Sequence, residues 1–152
     1  MERNHPLIQK TYTLTVKTIA FAEQMVADAP EHRFAAERLM QSVSRMGELV
    51  RRARLQPRLK ALETATQARD AADAAQFYLH VLNDISPILP ETLSEFNTEL
   101  SSIIHLMIGY LQHLRDPGRR RAARQAEPDP DTDPVDDPTD CSEEDAAETE
   151  EG

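Results

Sequence analysis

Apolar residues recur along most of this chain at steps of three and four, the spacing that places them on one face of an α-helix. Prolines at positions 6, 30, 57, 87, 90 and 117 bound four proline-free stretches of 23 to 29 residues. Because proline is tolerated in the first turn of a helix and breaks its interior, each stretch predicts one long helix. The apolar stripes of the last three stretches are Leu39, Val43, Met46, Val50 and Ala53; Ala61, Ala65, Ala68, Ala72, Ala75, Leu79 and Leu82; and Leu93, Phe96, Leu100, Ile103, Met107, Tyr110 and Leu114.

Short connections join the four segments, so we expect consecutive helices to lie side by side and antiparallel. The sequence therefore predicts an all-α fold, an antiparallel up-down-up-down four-helix bundle over residues 1–118. Thr92 and Glu95 have the spacing of a capping box at the start of the last helix, and Asp116-Pro117-Gly118 is a stop signal at its end. Gly47 in the second helix has two interpretations, a close contact between helices or a tolerated exposed glycine.

The first and last helices carry more apolar surface than one core-facing stripe requires. In the first helix, a line formed by Leu7, Leu14, Phe21 and Met25 is accompanied by a second line beside it. The surplus residues are Ile8, Tyr12, Ile19 and Val26 in the first helix, and Ile104 and Ile108 in the last. We expect them to form the interface of a homo-oligomer, the alternative being a broad core-facing arc in a monomer.

Charge divides the chain sharply. Residues 1–126 hold all 17 Lys and Arg and 14 acids, a net charge of +3, whereas residues 127–152 hold the other 13 acids and no base. Residues 119–126 are interpreted as a basic linker. Residues 127–152, rich in Asp and Pro, have too few apolar residues to offset chain entropy and predict a disordered acidic C-terminal tail.

The sequence shows no recognisable targeting signal. The N-terminus has no apolar signal-peptide core, and no uncharged apolar run approaches the roughly 20 residues needed to span a bilayer. The single cysteine, Cys141, excludes a disulfide within the chain. These features predict a cytoplasmic protein without a membrane partner.

Residue patterns for catalysis or metal binding are lacking in the sequence. There is no Glu-x-x-His pair for a di-iron bundle, no His-Glu-x-x-His, no Cys-x-x-Cys and no phosphate-binding glycine loop. His80 and His105 each stand one position from a core stripe, where a surface or boundary position is favoured. We therefore expect no enzyme activity, no catalytic residues, no metal site and no cofactor.

Basic residues are the main functional signal. One group lies at the end of the second helix, in the loop after it and at the start of the third helix, and the other follows the fourth helix. In an up-down-up-down bundle both groups belong at the same end. We predict that they bind nucleic acid, since arginine matches phosphate geometry and clustered cations release counterions on binding. The alternative is solvated helix ends that favour the helix dipole. The candidate residues are Arg51, Arg52, Arg54, Arg58, Lys60, Arg115, Arg119, Arg120, Arg121 and Arg124. The acidic tail follows them directly and can fold back over them, which predicts a self-masking polyanion.

Four short segments resemble one protein family. They are Asp28-Ala29-Pro30-Glu31-His32-Arg33-Phe34, an Arg-rich end of the second helix, Phe77-Tyr78-Leu79 in an Ala-rich third helix, and Ile108-Gly109-Tyr110-Leu111 in the fourth. Over about residues 5–115 the chain resembles the four-helix-bundle family of the accessory variability determinant of diversity-generating retroelements. The bundle proteins encoded in ribosomal-RNA intervening sequences are relatives of that family.

The resemblance implies a homopentameric barrel of bundles that associates with the retroelement's reverse transcriptase and its template RNA, as a non-catalytic partner in mutagenic copying. RNA or DNA remains open as the nucleic acid. The chain differs from the family in having Gln76 and His80 where relatives can carry basic residues, and in its acidic tail. The alternative from a different class is a structural or protein-interaction bundle with no nucleic-acid role, which salt-dependent RNA binding would separate from the first.

Overall fold

The protein is a four-helix bundle, as the sequence predicts. The computed structural model describes residues 5–116 and 118, and these contain no strand. Helices α1 (Pro6–Asp28), α2 (Arg33–Ala53), α3 (Arg58–Ile85) and α4 (Pro90–Arg115) follow one another, with a 3₁₀ turn at Pro30–His32. The helices contact in a ring, α1 with α2, α2 with α3, α3 with α4, and α4 with α1. The predicted basic linker and acidic tail, residues 119–126 and 127–152, lie outside the described residues.

Prolines set the helix boundaries through the residue that precedes them. Ala29, Ser86 and Asp116 each stand before a proline and leave the helical region, with ψ angles of 81°, 93° and 75°. A following proline disfavours helical backbone in the residue before it, so the helix stops there. Each of these residues still donates its N–H to the carbonyl four residues back, which closes the last turn.

The start of α4 corrects one expectation. The capping box predicted at Thr92 and Glu95 does not form, because the helix begins at Pro90 with Leu89 as its N-cap and no side-chain capping bond. Proline suits this first position, since its missing N–H would have no helical partner there. Glu95 instead accepts a hydrogen bond from Lys17 of α1 at 2.8 Å, and Glu99 accepts one at 2.5 Å.

The core follows the predicted stripes. All five stripe residues of α2 and all seven of α3 are buried, and Leu100, Ile103 and Met107 are buried on α4. The alanines of α3 are small, and α2 makes its most extensive contact along this helix. Two buried polar residues of α1, Thr11 and Thr18, donate their hydroxyls to carbonyls one turn back, so their burial leaves no unpaired donor.

Gly47 lies at a close contact between α1 and α2. A Cβ atom on Gly47 would stand 3.3 Å from Thr15 Oγ1 and 3.9 Å from the Thr11 backbone oxygen. Of the two interpretations of this glycine, the close helix contact is therefore the one that the structure supports. In the described part of the chain, none of the helices combines the length and apolar character that crossing a bilayer requires.

Candidate nucleic-acid interface

One end of the bundle gathers the ends of three helices that the sequence places far apart. The last residue of α2, the first turns of α3 and the last turn of α4 share a small buried cluster there. The cluster consists of Ala53, Ala61, Ala65, Leu111 and Leu114. Its small alanines allow the C-terminal turns of α2 and α4 to lie beside the start of α3, so the described basic residues in and next to these turns are brought to the same end.

The connection between α2 and α3 is held by local hydrogen bonds. Leu55 N–H donates to the Arg52 carbonyl at 3.0 Å, and Gln56 N–H donates to the Ala53 carbonyl at 3.2 Å. The Gln56 side chain in turn accepts a bond from the Thr64 hydroxyl at 2.6 Å. These bonds fix the short connection that carries Arg54, so its position relative to both helices is defined.

The described members of the predicted site are exposed and lie at this end of the bundle. They come from the last turns of α2, the connection, the first turn of α3 and the last turn of α4, and we call them the basic end: Arg51, Arg52, Arg54, Arg58, Lys60 and Arg115. The other predicted members, Arg119, Arg120, Arg121 and Arg124, lie outside the described residues. The structure thus brings together all the predicted cations that it describes.

Arg58 has a structural contact as well as exposure. Its Nη1 donates a hydrogen bond to the Leu114 carbonyl oxygen at 2.7 Å. Carbonyl groups in the last turn of a helix have no partner within the helix, and a cation beside them also favours the helix dipole. Arg58 therefore connects the start of α3 to the end of α4, and only part of its guanidinium remains available to a ligand.

Arg54 lies close enough to Tyr110 of α4 to affect its ionisation. Burial raises the pKa of the Tyr110 phenol, and the positive charge of Arg54 opposes that rise. The opposition is expected, because a nearby cation stabilises the phenolate and desolvation destabilises it. Arg54 and Tyr110 thus connect the α2–α3 turn electrostatically to α4.

Most of the basic end has no acidic partner within the bundle. Among residues 5–116 and 118, Arg51, Arg52, Lys60 and Arg115 take part in no ion pair, whereas Lys17 and Arg33 elsewhere do. The C-terminal dipoles of α2 and α4 attract cations at this end, which accounts for some of the arginines. Unpaired, exposed cations from three helices are also the arrangement that phosphate groups bind.

The predicted oligomer-interface residues have two kinds of environment. Ile8, Val26 and Ile104 are half-buried and pack against the bundle's own core, and Ile19 and Ile108 are also half-buried. Tyr12 differs, with 68% of its surface exposed. The surplus apolar residues of α1 and α4 are therefore partly covered by the chain's own core, and Tyr12 is the one most available to a second subunit.

Tyr12 borders a groove between α1 and α2 that sequence reasoning did not identify. The groove has a volume of about 720 Å³, and its lining includes Ile8, Thr15, Gly47 and Arg51. Gly47 deepens it by having no side chain, and Arg51 places one cation of the basic end on its wall. In the sequence, Gly47 within an amphipathic helix was the feature that could have indicated this groove.

A second missed surface is apolar and lies on α3. Phe77 is 62% exposed and Ile85 is 47% exposed, with the half-buried Val81 midway between them. Steps of four residues place all three along one line of the helix outside the alanine stripe, and Val81 also packs against the core. The ring of Phe77 also contacts that of Tyr78 edge-on, with a centroid distance of 5.1 Å. The four-residue step of apolar residues outside the alanine stripe was the signal in the sequence.

Side chains that bind metals are dispersed. No group of three or more His, Cys, Asp or Glu within residues 5–116 and 118 is placed to hold a metal ion. His80 and His105 are exposed, in agreement with the surface position favoured for both from the sequence.

Comparisons with known proteins identify the fold. No protein-family model and no curated protein sequence matches the chain. Among solved structures, it is similar to the crystal structure of a protein of unknown function from the S23 ribosomal protein family of Bacteroides thetaiotaomicron. The two share 18% identity with a TM-score of 0.65, over 69% of this chain and 97% of the other. The similarity at this identity shows that the chain has the helical-bundle fold of that S23-family protein.

Proposed function

We propose that the chain is a non-catalytic, oligomeric bundle protein that binds RNA through its basic end. The observation that carries this proposal is the convergence at one end of exposed cations from α2, α3 and α4 that have no acidic partner in the described part of the chain: Arg51, Arg52, Lys60 and Arg115. Such cations stay available to phosphate groups, whereas cations already paired with carboxylates would have to break those pairs first.

Within this proposal, the physiological setting is that of an accessory factor for a diversity-generating retroelement. The sequence resemblance to the accessory variability determinant supports this setting, and the RNA is then the template RNA bound together with the reverse transcriptase. The structural neighbour's family is described as a ribosomal protein family, and an RNA partner is in keeping with that description.

RNA binding is tested with a matched pair of full-length variants. Arg51→Gln/Arg52→Gln removes two cations of the basic end, and Arg33→Gln/Arg38→Gln removes two from the opposite end of α2, where Arg33 pairs with Glu37 and Arg38 covers the Phe34 ring. Both variants have the same net charge. Fluorescence anisotropy with a labelled 20-nucleotide RNA is recorded over a series of salt concentrations.

The two variants should behave differently. Log affinity falls as log salt concentration rises, and loss of two phosphate contacts on a single strand makes this negative slope shallower by about 1.4. We expect the shallower slope only for Arg51→Gln/Arg52→Gln. Equal slopes for both variants would contradict the assignment to the basic end. Co-purification with the reverse transcriptase of a diversity-generating retroelement and with its template RNA tests the retroelement setting separately.

A second candidate is a protein-interaction bundle without a nucleic-acid role. The apolar row on α3, in which Phe77 and Ile85 are exposed and Val81 is half-buried, favours it, as do Leu55 and Leu59, which are 83% and 71% exposed beside the basic residues. Apolar side chains of this size suit a protein surface better than a phosphate backbone. Absence of salt-dependent RNA binding by the full-length chain would favour this candidate over the first.

A further inference from the structure

The basic end and the acidic segment of the same chain are neighbours in sequence and opposite in charge. Helix α4 ends at Arg115, within the basic end, so the chain continues from this end of the bundle toward residue 127. Residues 127–152 contain 13 acids and no base, whereas Arg51, Arg52, Lys60 and Arg115 have no ion-pair partner among residues 5–116 and 118.

Chain length allows the two to meet. Eight residues, 119–126, separate Gly118 from Glu127. A fully extended chain spans at most about 3.3–3.6 Å per residue, so this linker reaches up to roughly 28 Å. Neighbouring helix axes in a bundle are about 8–10 Å apart, so every cation of the basic end is within that reach. The covalent link also gives the acidic segment a high effective concentration at this surface.

We propose that residues 127–152 dock on the basic end of their own chain and compete there with external polyanions. This inference rests on the proposed function only in naming RNA as the competitor, since docking itself depends on the opposite charges. The segment contains Asp-Pro repeats at Asp129, Asp133 and Asp137 and few large apolar residues. The contact therefore depends on charge and not on apolar packing, and the order of residues in the segment matters little.

Cys141 permits a direct measurement of docking, because it is the only cysteine and lies within the acidic segment. A nitroxide attached to it broadens the amide resonances of nearby residues in the full-length protein. We expect broadening of Arg51–Lys60 and Arg115 at low salt, and its loss near 1 M salt, where the screening length falls to about 3 Å. Residues at the opposite end, such as Phe34 and Ile85, serve as the internal control.

The same label separates docking within a chain from docking between chains. A mixture of isotope-labelled chains without nitroxide and unlabelled chains with nitroxide reports only contacts between different chains. The comparison sample contains only chains that carry both the isotope label and the nitroxide. The proposal requires the broadening in that sample to exceed the broadening in the mixture. Uniform broadening of both ends, or broadening only in the mixture, would overturn it.

Competition with RNA is measured with two full-length variants of the acidic segment. In one, the 13 acids are replaced by Asn and Gln; in the other, the order of residues is scrambled and Cys141 is kept in place. If the docked form predominates, neutralising the segment should strengthen binding of a labelled single-stranded RNA about three- to tenfold at low salt, because the competent fraction of the surface rises. The scrambled variant should bind like the original chain.

These outcomes distinguish the two proposals. Docking seen by broadening, with no RNA binding by the neutralised variant, would reject the proposed function and keep the docking. Equal RNA binding by the neutralised and original chains would reject the competition and leave the RNA-binding proposal standing.

Discussion

Gly47 of α2 faces Thr15 of α1 so closely that a Cβ on the glycine would stand 3.3 Å from the threonine Oγ1. The Thr15 hydroxyl donates at 2.7 Å to the Thr11 carbonyl, which lies at the same contact. A Cβ atom at position 47 therefore requires the Thr15 hydroxyl or the two helices to move by a few tenths of an ångström. Gly109 of α4 provides a contrast, since a Cβ there meets no neighbouring atom within 4 Å in the described part of the chain.

The first prediction compares substitutions at these two glycines. Gly47→Leu should lower the free energy of unfolding by about 1–3 kcal/mol, the range expected when extra methylenes enter a packed contact. Gly109→Ala should raise it by roughly 0.5–1 kcal/mol, because alanine favours the helix and meets no obstruction. Urea denaturation followed by circular dichroism measures both, and a stabilised Gly47→Leu would contradict the close contact.

The second prediction concerns the bond from Arg58 to the Leu114 carbonyl. Arg58→Ala should lower the free energy of unfolding by about 0.5–1.5 kcal/mol, the net value of a typical hydrogen bond, and should speed amide exchange in the last turn of α4. Arg52→Ala removes an exposed side chain that makes no hydrogen bond or ion pair in the described part of the chain, and should change stability by less than about 0.5 kcal/mol.

Arg58→Lys serves as the control for charge, because it keeps the cation at the start of α3 and removes the guanidinium. Its stability should fall between those of the original protein and Arg58→Ala. Indistinguishable stabilities for Arg58→Ala and Arg52→Ala would show that the bond to Leu114 has no stabilising effect.

The third prediction concerns stability at alkaline pH. Burial raises the pKa of Tyr110 in the folded protein above its ordinary value of 10.0. The unfolded state therefore loses this proton first, and stability falls as the pH rises from about 10 through the folded-state pKa. Tyr110→Phe should make this alkaline loss less steep, while Tyr12→Phe, at an exposed ring, serves as the control.

Arg54 gives the same prediction a second readout. Its positive charge lowers the pKa of Tyr110, so Arg54→Gln should move the phenol titration to higher pH. Absorbance at 295 nm follows tyrosinate formation directly. A shift of the Tyr110 titration to lower pH in Arg54→Gln would contradict the proximity of the two side chains.

The fourth prediction tests which apolar surface forms the expected homo-oligomer. Tyr12 is the exposed member of the predicted α1 and α4 interface, and Phe77 belongs to the apolar row on α3. A carboxylate buried in an interface costs free energy that a solvated one does not. Tyr12→Glu should therefore lower the mass measured by light scattering at a fixed concentration, while Phe77→Glu should leave it unchanged. The opposite pattern would transfer the interface to α3.

Much of the candidate site follows from local information. Up-down-up-down order alone places the ends of α2 and α4 together, so the grouping of Arg51 with Arg115 was predictable. The bond between Arg58 and Leu114 was not, because it depends on how far apart α3 and α4 lie and on the rotation of each helix. Likewise, Ile8 and Tyr12 are both large, largely apolar residues one helical turn apart on α1. Ile8 nevertheless packs against the core, whereas Tyr12 is exposed.

The sequence by itself determined the four helices, because prolines act on adjacent backbone and the three-and-four spacing of apolar residues selects one buried face. It could not determine the capping of α4: Thr92 and Glu95 satisfy a short local pattern, but Pro90 starts the helix earlier and Lys17 of another helix binds Glu95. Tertiary structure decided which surfaces stay exposed and which cations stay unpaired. Both depend on the distances and rotations of packed helices, which arise only when residues far apart in the chain come into contact.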